Sequence, residues 1–255
     1  MSSVQFRRCR GPKLLLTFSI RSIFIQCMVC PVAALALSFL LGSATHPNDF
    51  YTYRWSCGMV HLPSISRVIN MPLERTIFQM LILCSVPLRL IILFRHWLRF
   101  SVVNESTRIF TVTRQLLIFC GGNEVLLLSL LSVIGERENG SAHVAFFSLF
   151  VAFSYFYFCA LHLLTRWTYK GSESVRTAIK LQLIFFSVMT FSVPVTFLFF
   201  ILYNVYCVTG GHELFAVFEY ITVGALYGFH ASSLGEMAGF IHFYHTNIKL
   251  HSIRV

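Results

Sequence analysis

Apolar residues run along this chain in six long blocks, at positions 14–41, 77–97, 109–134, 142–164, 181–203 and 214–244, with short polar stretches between them. Each block is near the ~20 residues that an α-helix needs to cross ~30 Å of hydrocarbon. The pattern predicts an all-α polytopic membrane protein, a bundle of six transmembrane helices forming one domain over 1–255. The first and last blocks are long for a single crossing, so each tilts or extends past the interface. For the first block the alternative is a segment 14–20 lying along the membrane surface, followed by a span over 23–41. That block is too long, and too poor in small residues at a cleavage site, for a removable signal peptide, and reads as a permanent helix. The longest polar stretch is the loop 42–76, and no internal repeat or low-complexity tract is present.

Composition sharpens this picture. Length alone, 255 residues, allows one large or two small soluble domains. Hydrophobic residues are 56 % of the chain, charged residues only 12 %, and Phe occurs 27 times. The mean hydropathy is +0.71. A soluble protein this apolar would lack the polar surface to stay dissolved.

The net charge of +10 does not point to nucleic acid, because the basic residues are scattered through short loops instead of forming a patch. Their distribution sets orientation. Arg7, Arg8, Arg10 and Lys13 precede the first block; Arg95, Arg99 and Arg108 surround the second loop; Arg166, Lys170, Arg176 and Lys180 surround the fourth; Lys249 and Arg254 lie in the tail. These thirteen face one side, against Arg54, Arg67, Arg75 and Arg137 on the other. Strict alternation over six spans places the N-terminal segment 1–13 and the tail 246–255 in the cytosol, and the loop 42–76 on the lumenal or outer side.

On that oxidising side lie Cys57, in the first loop, and Cys207, in the fifth. A disulfide between them would staple the first loop to the bundle; the alternative is two unpaired thiols. Most other cysteines fall within apolar blocks, where a thiol behaves as a small hydrophobe. Of two glycosylation sequons, 104–106 is on the cytosolic side and is expected to be silent. The other, 139–141, is on the lumenal side in a loop so short that it is expected to be unused.

Ionisable residues inside membrane helices are costly and usually face the bundle interior or a cavity. Arg89, Arg114, Glu124, His162, Glu219, His230 and Glu236 are such residues, each read either as a site group or as an interhelical hydrogen bond or snorkelling side chain. Glu124 follows Gly121-Gly122-Asn123, where glycine weakens the helix or lets a neighbour approach. Glu219 and His230 are eleven residues apart, on one face within about 20° but about 16 Å apart along the axis, so they cannot share a ligand. His242 and His245 lie one turn apart at the cytosolic interface, too few ligands for a metal site. No metal ligand set or cofactor motif is evident. Zincin, nucleophile-elbow and Walker motifs are absent, and Asp49, the sole aspartate, has no histidine at the spacing of a glycerolipid acyltransferase box.

Several segments carry a resemblance: Cys57-Gly58-Met59-Val60-His61-Leu62-Pro63-Ser64-Ile65-Ser66, then Leu83-Cys84-Ser85-Val86-Pro87-Leu88-Arg89, Tyr206-Cys207, Phe215-Ala216-Val217-Phe218-Glu219-Tyr220 and Phe229-His230. In order, spacing and loop placement they resemble the Frag/DRAM/Sfk family of six-span membrane proteins over about 24–240, and within it the branch concerned with glycosylphosphatidylinositol (GPI) anchors. Glu124 and His143 also match. The chain departs from the pattern at Tyr203 and Tyr157, where histidines are expected, at Leu226 (asparagine) and at Glu236 (aspartate), as a divergent paralogue would.

The resemblance implies lipid (fatty-acid) remodelling of GPI anchors in the Golgi membrane, or also the endoplasmic reticulum, including reacylation of a lyso-GPI intermediate with a saturated chain. Its partners would be membrane lipids, GPI-anchored proteins and other membrane proteins. In an acyl-transfer version His230 would be the general base, Glu124 or Glu219 would orient partners, Arg89 would hold a phosphate or carbonyl oxygen, and Ser64, Ser66 and Tyr220 would bind substrate. The acyl donor is not identified by any motif. The alternative is a non-enzymatic adaptor or lipid-sensing protein like the autophagy-modulating relatives; a transporter would need repeats that are missing.

Overall fold

The computed structural model describes residues 13–103 and 107–245. The segment 1–12, the tail 246–255 and the sequon 104–106 lie outside the described residues. Strand β1, Lys13–Ser19, leads into helix α1, Ile20–Thr45; a loop then carries helix α2 (Pro47–Tyr51), strands β2 (Tyr53–Trp55) and β3 (Gly58–Val60) and helix α3 (Ile65–Val68). Helices α4 (Pro72–Ser101), α5 (Arg108–Val133), α6 (Glu136–Trp167), α7 (Glu173–Asn204) and α8 (Gly211–Ser232) follow, then a 3-10 turn Ser233–Glu236 and strand β4, Phe240–His245. Among the described residues six helices, α1 and α4 to α8, are long and apolar enough to cross a membrane.

Helices α4, α6 and α7 outrun their apolar blocks at both ends because hydropathy reports contact with hydrocarbon, whereas a helix continues as long as its backbone amides find partners. Proline at the first position starts α4 at Pro72, five residues before the block, since its missing amide is unpaired there anyway. Gly210, at φ +75°, turns the chain into α8 in a conformation that a side chain would resist.

Both ends of the described chain correct the expectation. Residues 14–19 do not belong to the first helix, which starts at Ile20 and so follows the shorter-span alternative; they are β1, paired antiparallel with β4. The last block is likewise not one helix; α8 stops at Ser232, and Gly239, at φ +113°, redirects the chain. The aromatic and β-branched run Phe240-Ile241-His242-Phe243 then pairs with Ser19, Phe18, Thr17 and Leu16 in turn, as such residues favour. The Thr17 hydroxyl and His242 Nδ1 meet across the pair at 3.1 Å. The architecture is therefore a six-helix bundle with two small two-stranded sheets.

Each spanning helix packs chiefly on its sequence neighbours, α1 on α4, α4 on α5, α5 on α6, α7 on α8. The first and last helices meet only lightly, and the β1–β4 pair closes the ring between them. Ion pairs pin the turns: Arg75 with Glu138 near one end, and Arg99 with Glu236 at the strand-pair end. The second expected sequon falls at a break in α6, where Asn139 leaves helical geometry and its Oδ1 accepts from the Ala142 N–H at 3.0 Å.

The long loop is ordered. A disulfide joins Cys57 to Cys207, with Cα atoms 5.3 Å apart and 150 positions between them in the chain. Hydrogen bonds reinforce it, from Trp55 Nε1 (3.3 Å) and Ser56 Oγ (3.0 Å) to Asn204 Oδ1, and from His61 N–H to Glu213 (3.2 Å). Gly42 makes this packing possible: a Cβ there would lie 2.3 Å from the fully buried Phe50 ring of α2.

Candidate functional site

The loop from Tyr53 to Ser66 roofs the disulfide end of the bundle, and its polar groups turn inward. The Tyr53 hydroxyl meets His212 Nε2 at 3.3 Å. Burial pushes its phenol well above the usual range, so it stays protonated. Arg67 stacks over the Tyr53 ring at 4.5 Å. Ser64 caps α3, its oxygen accepting from the Arg67 N–H at 3.2 Å, and lies 3.0 Å from the Ser66 hydroxyl. Glu219, buried on α8, accepts from the Ile65 N–H at 2.7 Å. Next to it the Tyr220 hydroxyl donates to the Pro63 carbonyl.

Beneath the roof is a narrow cavity between α6, α7 and α8, with Ser64, Ser66, Glu136, His143, His212 and Glu219 in its wall. A second cavity shares Ser66, His143, Phe147 and Glu219 with it and runs inward between apolar side chains such as Phe78, Leu128, Phe150 and Leu226, reaching Arg89. The two cavities therefore adjoin, the outer one with its polar wall groups beside the loop and the inner one lined mainly by apolar side chains. His143 stands at the junction. Its Nδ1 is 3.0 Å from the Ile134 carbonyl oxygen, which can only accept. Nδ1 therefore carries a proton, and whenever the ring is neutral its free lone pair is on Nε2.

A third cavity shares Arg89 and opens onto Glu124 and His230. Glu124 Oε1 is 2.8 Å from His230 Nε2 and 3.9 Å from Arg89 Nη1, all three largely shielded from solvent. Tyr157 lies roughly parallel to the His230 ring at 5.8 Å, and Phe158 meets it edge-on at 5.0 Å. One turn before Glu124, Gly121 admits this crowding, since a Cβ would come within 2.5 Å of Leu93 and 3.0 Å of Tyr157.

The residues expected to form one site divide accordingly. Arg89, Glu124 and His230 come together; Glu219 lies about 16 Å away along α8 and is committed to the loop backbone. Ser66 lines both of the first two cavities, whereas Tyr220 ties the loop to α8. Glu136 and His212 were missed: each lies just outside an apolar block and so reads as a solvated turn residue. Fully buried Glu74, whose carboxylate is 3.5 Å from His46 Nε2, was missed for the same reason.

Six apolar helices around a polar-lined interior, sealed at one end by an ordered loop, define a multi-pass membrane protein with an internal cavity. The chain belongs to the Frag1/DRAM/Sfk1/Cwh43P N-terminal domain family, whose pattern matches residues 19–240. It is similar to a protein of Xenopus tropicalis named acyltransferase PGAP2, 29 % identical over 216 residues that cover 81 % of this chain and 79 % of the relative. It is also similar to post-GPI attachment to proteins factor 2 of Drosophila pseudoobscura pseudoobscura, 28 % identical over 212 residues covering 80 % and 77 % of the two chains. The Drosophila melanogaster protein of that name is likewise 28 % identical over 212 residues. No solved structure matches the chain.

Proposed function

We propose that this protein acts in GPI-anchor maturation, remodelling the anchor's lipid by placing a saturated chain on a lyso-GPI intermediate in the Golgi membrane. The observation that supports this reading is the pair of adjoining cavities at the disulfide end, the outer with Ser64, Ser66, Glu136 and Glu219 in its wall and the inner walled mainly by apolar side chains. The names of the relatives, an acyltransferase and a post-GPI attachment factor, support the coarser part of it, a role in GPI-anchor maturation. The disulfide suits the lumenal side, as the distribution of basic residues requires.

In an acyl-transfer version the lipid hydroxyl lies near the headgroup layer, where His143 stands and His230 does not. His143 Nε2 would take the hydroxyl proton as the oxygen attacks the carbonyl of the acyl donor, then return it to the donor's leaving group. Arg89, Glu124 and His230 would form the charged floor of the chamber.

A second reading, a non-enzymatic adaptor or lipid sensor, draws on the engagement of Glu219 with the Ile65 amide and of Glu124 with His230, which occupies both carboxylates in holding the fold. Expression in cells that lack the GPI-anchor factor, with the anchor lipids measured by mass spectrometry, separates the two. Restored saturated chains are expected; lyso or unsaturated anchors that persist beside well-expressed protein would favour the adaptor.

A further inference from the structure

The strand pair that closes the ring leaves its own apolar side chains uncovered. Leu16, Phe18 and Phe243 stand on one face of the β1–β4 ribbon, the two Phe rings edge-on at 6.0 Å, and Phe240 stands on the other beside His242. These four apolar side chains are 47–63 % exposed. In water a two-stranded ribbon is marginal at best, and its open edges recruit other chains. Apolar groups on both of its faces call for an environment that is apolar on both sides.

The root of the ribbon sets its depth. The Ile20 N–H donates to the Gly239 carbonyl at 3.1 Å, Ile241 packs on the cluster that holds Ile20, Phe24 and Ile92, and Arg95 Nη2 is 3.5 Å from the Ala238 carbonyl oxygen. Two residues beyond Arg95 is Trp97, which is exposed, as is Trp167 at the end of α6. Such amphipathic rings gather at the boundary between membrane and water. The ribbon therefore leaves the helices at headgroup level, on the side that the basic residues assign to the cytosol.

Charge selects what covers it. Apolar surface alone would suit any lipid, but the ribbon and its continuations, 1–19 and 237–255, contain Arg7, Arg8, Arg10, Lys13, Lys249 and Arg254 and no aspartate or glutamate. Lys13 is in register with His245, so both chain ends continue from the same end of the ribbon. At the other end stands exposed Arg21. Basic residues on this side also follow from topology, but topology does not call for an apolar ribbon between them. Basic residues beside the cytosolic leaflet attract its anionic headgroups.

We propose that the β1–β4 ribbon is a docking surface for anionic phospholipid of the cytosolic leaflet, with its apolar side chains among the upper acyl chains and the basic residues at its two ends drawing in the headgroups. This stands apart from anchor remodelling, since the 26 residues of α1 separate the ribbon from the disulfide loop.

The test uses the full chain, one copy per nanodisc, in phosphatidylcholine alone or with about a third phosphatidylserine. Hydrogen exchange of amides 14–18 and 240–243 is expected to be about tenfold slower in the anionic discs, while α5 amides serve as an unchanged reference. About 1 M salt should remove the difference by screening. Arg8→Gln with Arg10→Gln and Arg21→Gln should remove it too, leaving the apolar side chains in place; Arg21→Gln alone, with a smaller loss, serves if the triple variant fails to form its disulfide. Leu16→Asn with Phe243→Asn should speed exchange of the ribbon in both discs. Equal exchange in the two lipid compositions, or a difference that survives both salt and the arginine substitutions, overturns the proposal. So does protection seen only with two copies per disc, which would make the ribbon edge a contact between copies of the chain.

Discussion

Arg89 and Glu124 carry opposite charges where only 7 % and 2 % of their side chains meet solvent. Such a pair adds little net stability, because desolvation offsets the attraction, but losing one partner strands the other. Glu124→Ala should therefore lower stability by roughly 3–5 kcal/mol, and Arg89→Met combined with Glu124→Leu should recover most of it. Thermal denaturation in one detergent checks both; equal losses in the single and double variants would show that the charges do not act as a pair. Gly121→Leu should cost about 1–3 kcal/mol by overpacking against Leu93 and Tyr157, read from the same melting curves. For His143, the expected outcome of His143→Ala is a folded, disulfide-bonded protein that fails to restore saturated anchors. Full rescue would leave His143 with only its bond to Ile134. The glycines before Glu124 were legible as either a weak point in the helix or a place of close approach; that side chains approach at Gly121, and which, was not, because Leu93 and Tyr157 belong to other helices.

Among the elements, the loop from Pro47 to Val68 shows what a local pattern can and cannot carry. Its cysteine, serines and proline were visible as a motif, and the disulfide with Cys207 was one of two open readings. That Tyr53, Trp55, Pro63 and Ile65 each take a partner from α7 or α8 was not visible. Those partners lie about 150 positions away; hydropathy places Asn204 and His212 just outside block edges, and Glu219, legible as an ionisable residue within the last block, gave no sign of the loop amide it engages. Because the disulfide closes a loop of 150 residues, Cys57→Ser should cost about 2–5 kcal/mol. The loss should concentrate in the loop, so hydrogen exchange of amides 53–66 should rise far more than that of α4 or α5. A uniform rise across the bundle would mean that the staple supports the whole fold. The six spanning helices were legible, since each block contains one, whereas the short α2 and α3 within the loop were not. The β1 and β4 strands were not, because an apolar run that suits a membrane helix also suits a strand.

At the scale of the whole molecule, alternating basic residues predict a lumenal loop and cytosolic turns. A glycosylation acceptor inserted between Gly58 and Leu62 should be modified in cells, and the native 104–106 sequon should not be. Modification of the latter alone would invert the topology. The same scale holds a consequence of the strand pair. Thr17 and His242, joined across it, are 225 positions apart. At ~5–20 residues per second, synthesis leaves β1 without its partner for roughly 10–45 s. During that interval Leu14, Leu15, Leu16 and Phe18, exposed even in the finished protein, flank an open backbone edge of the kind that recruits other chains. Closure of the ring is thus the last event of assembly and a test of completeness. A chain cut short before Phe240 would possess all six helices and still display the open edge by which an unfinished protein is recognised and removed.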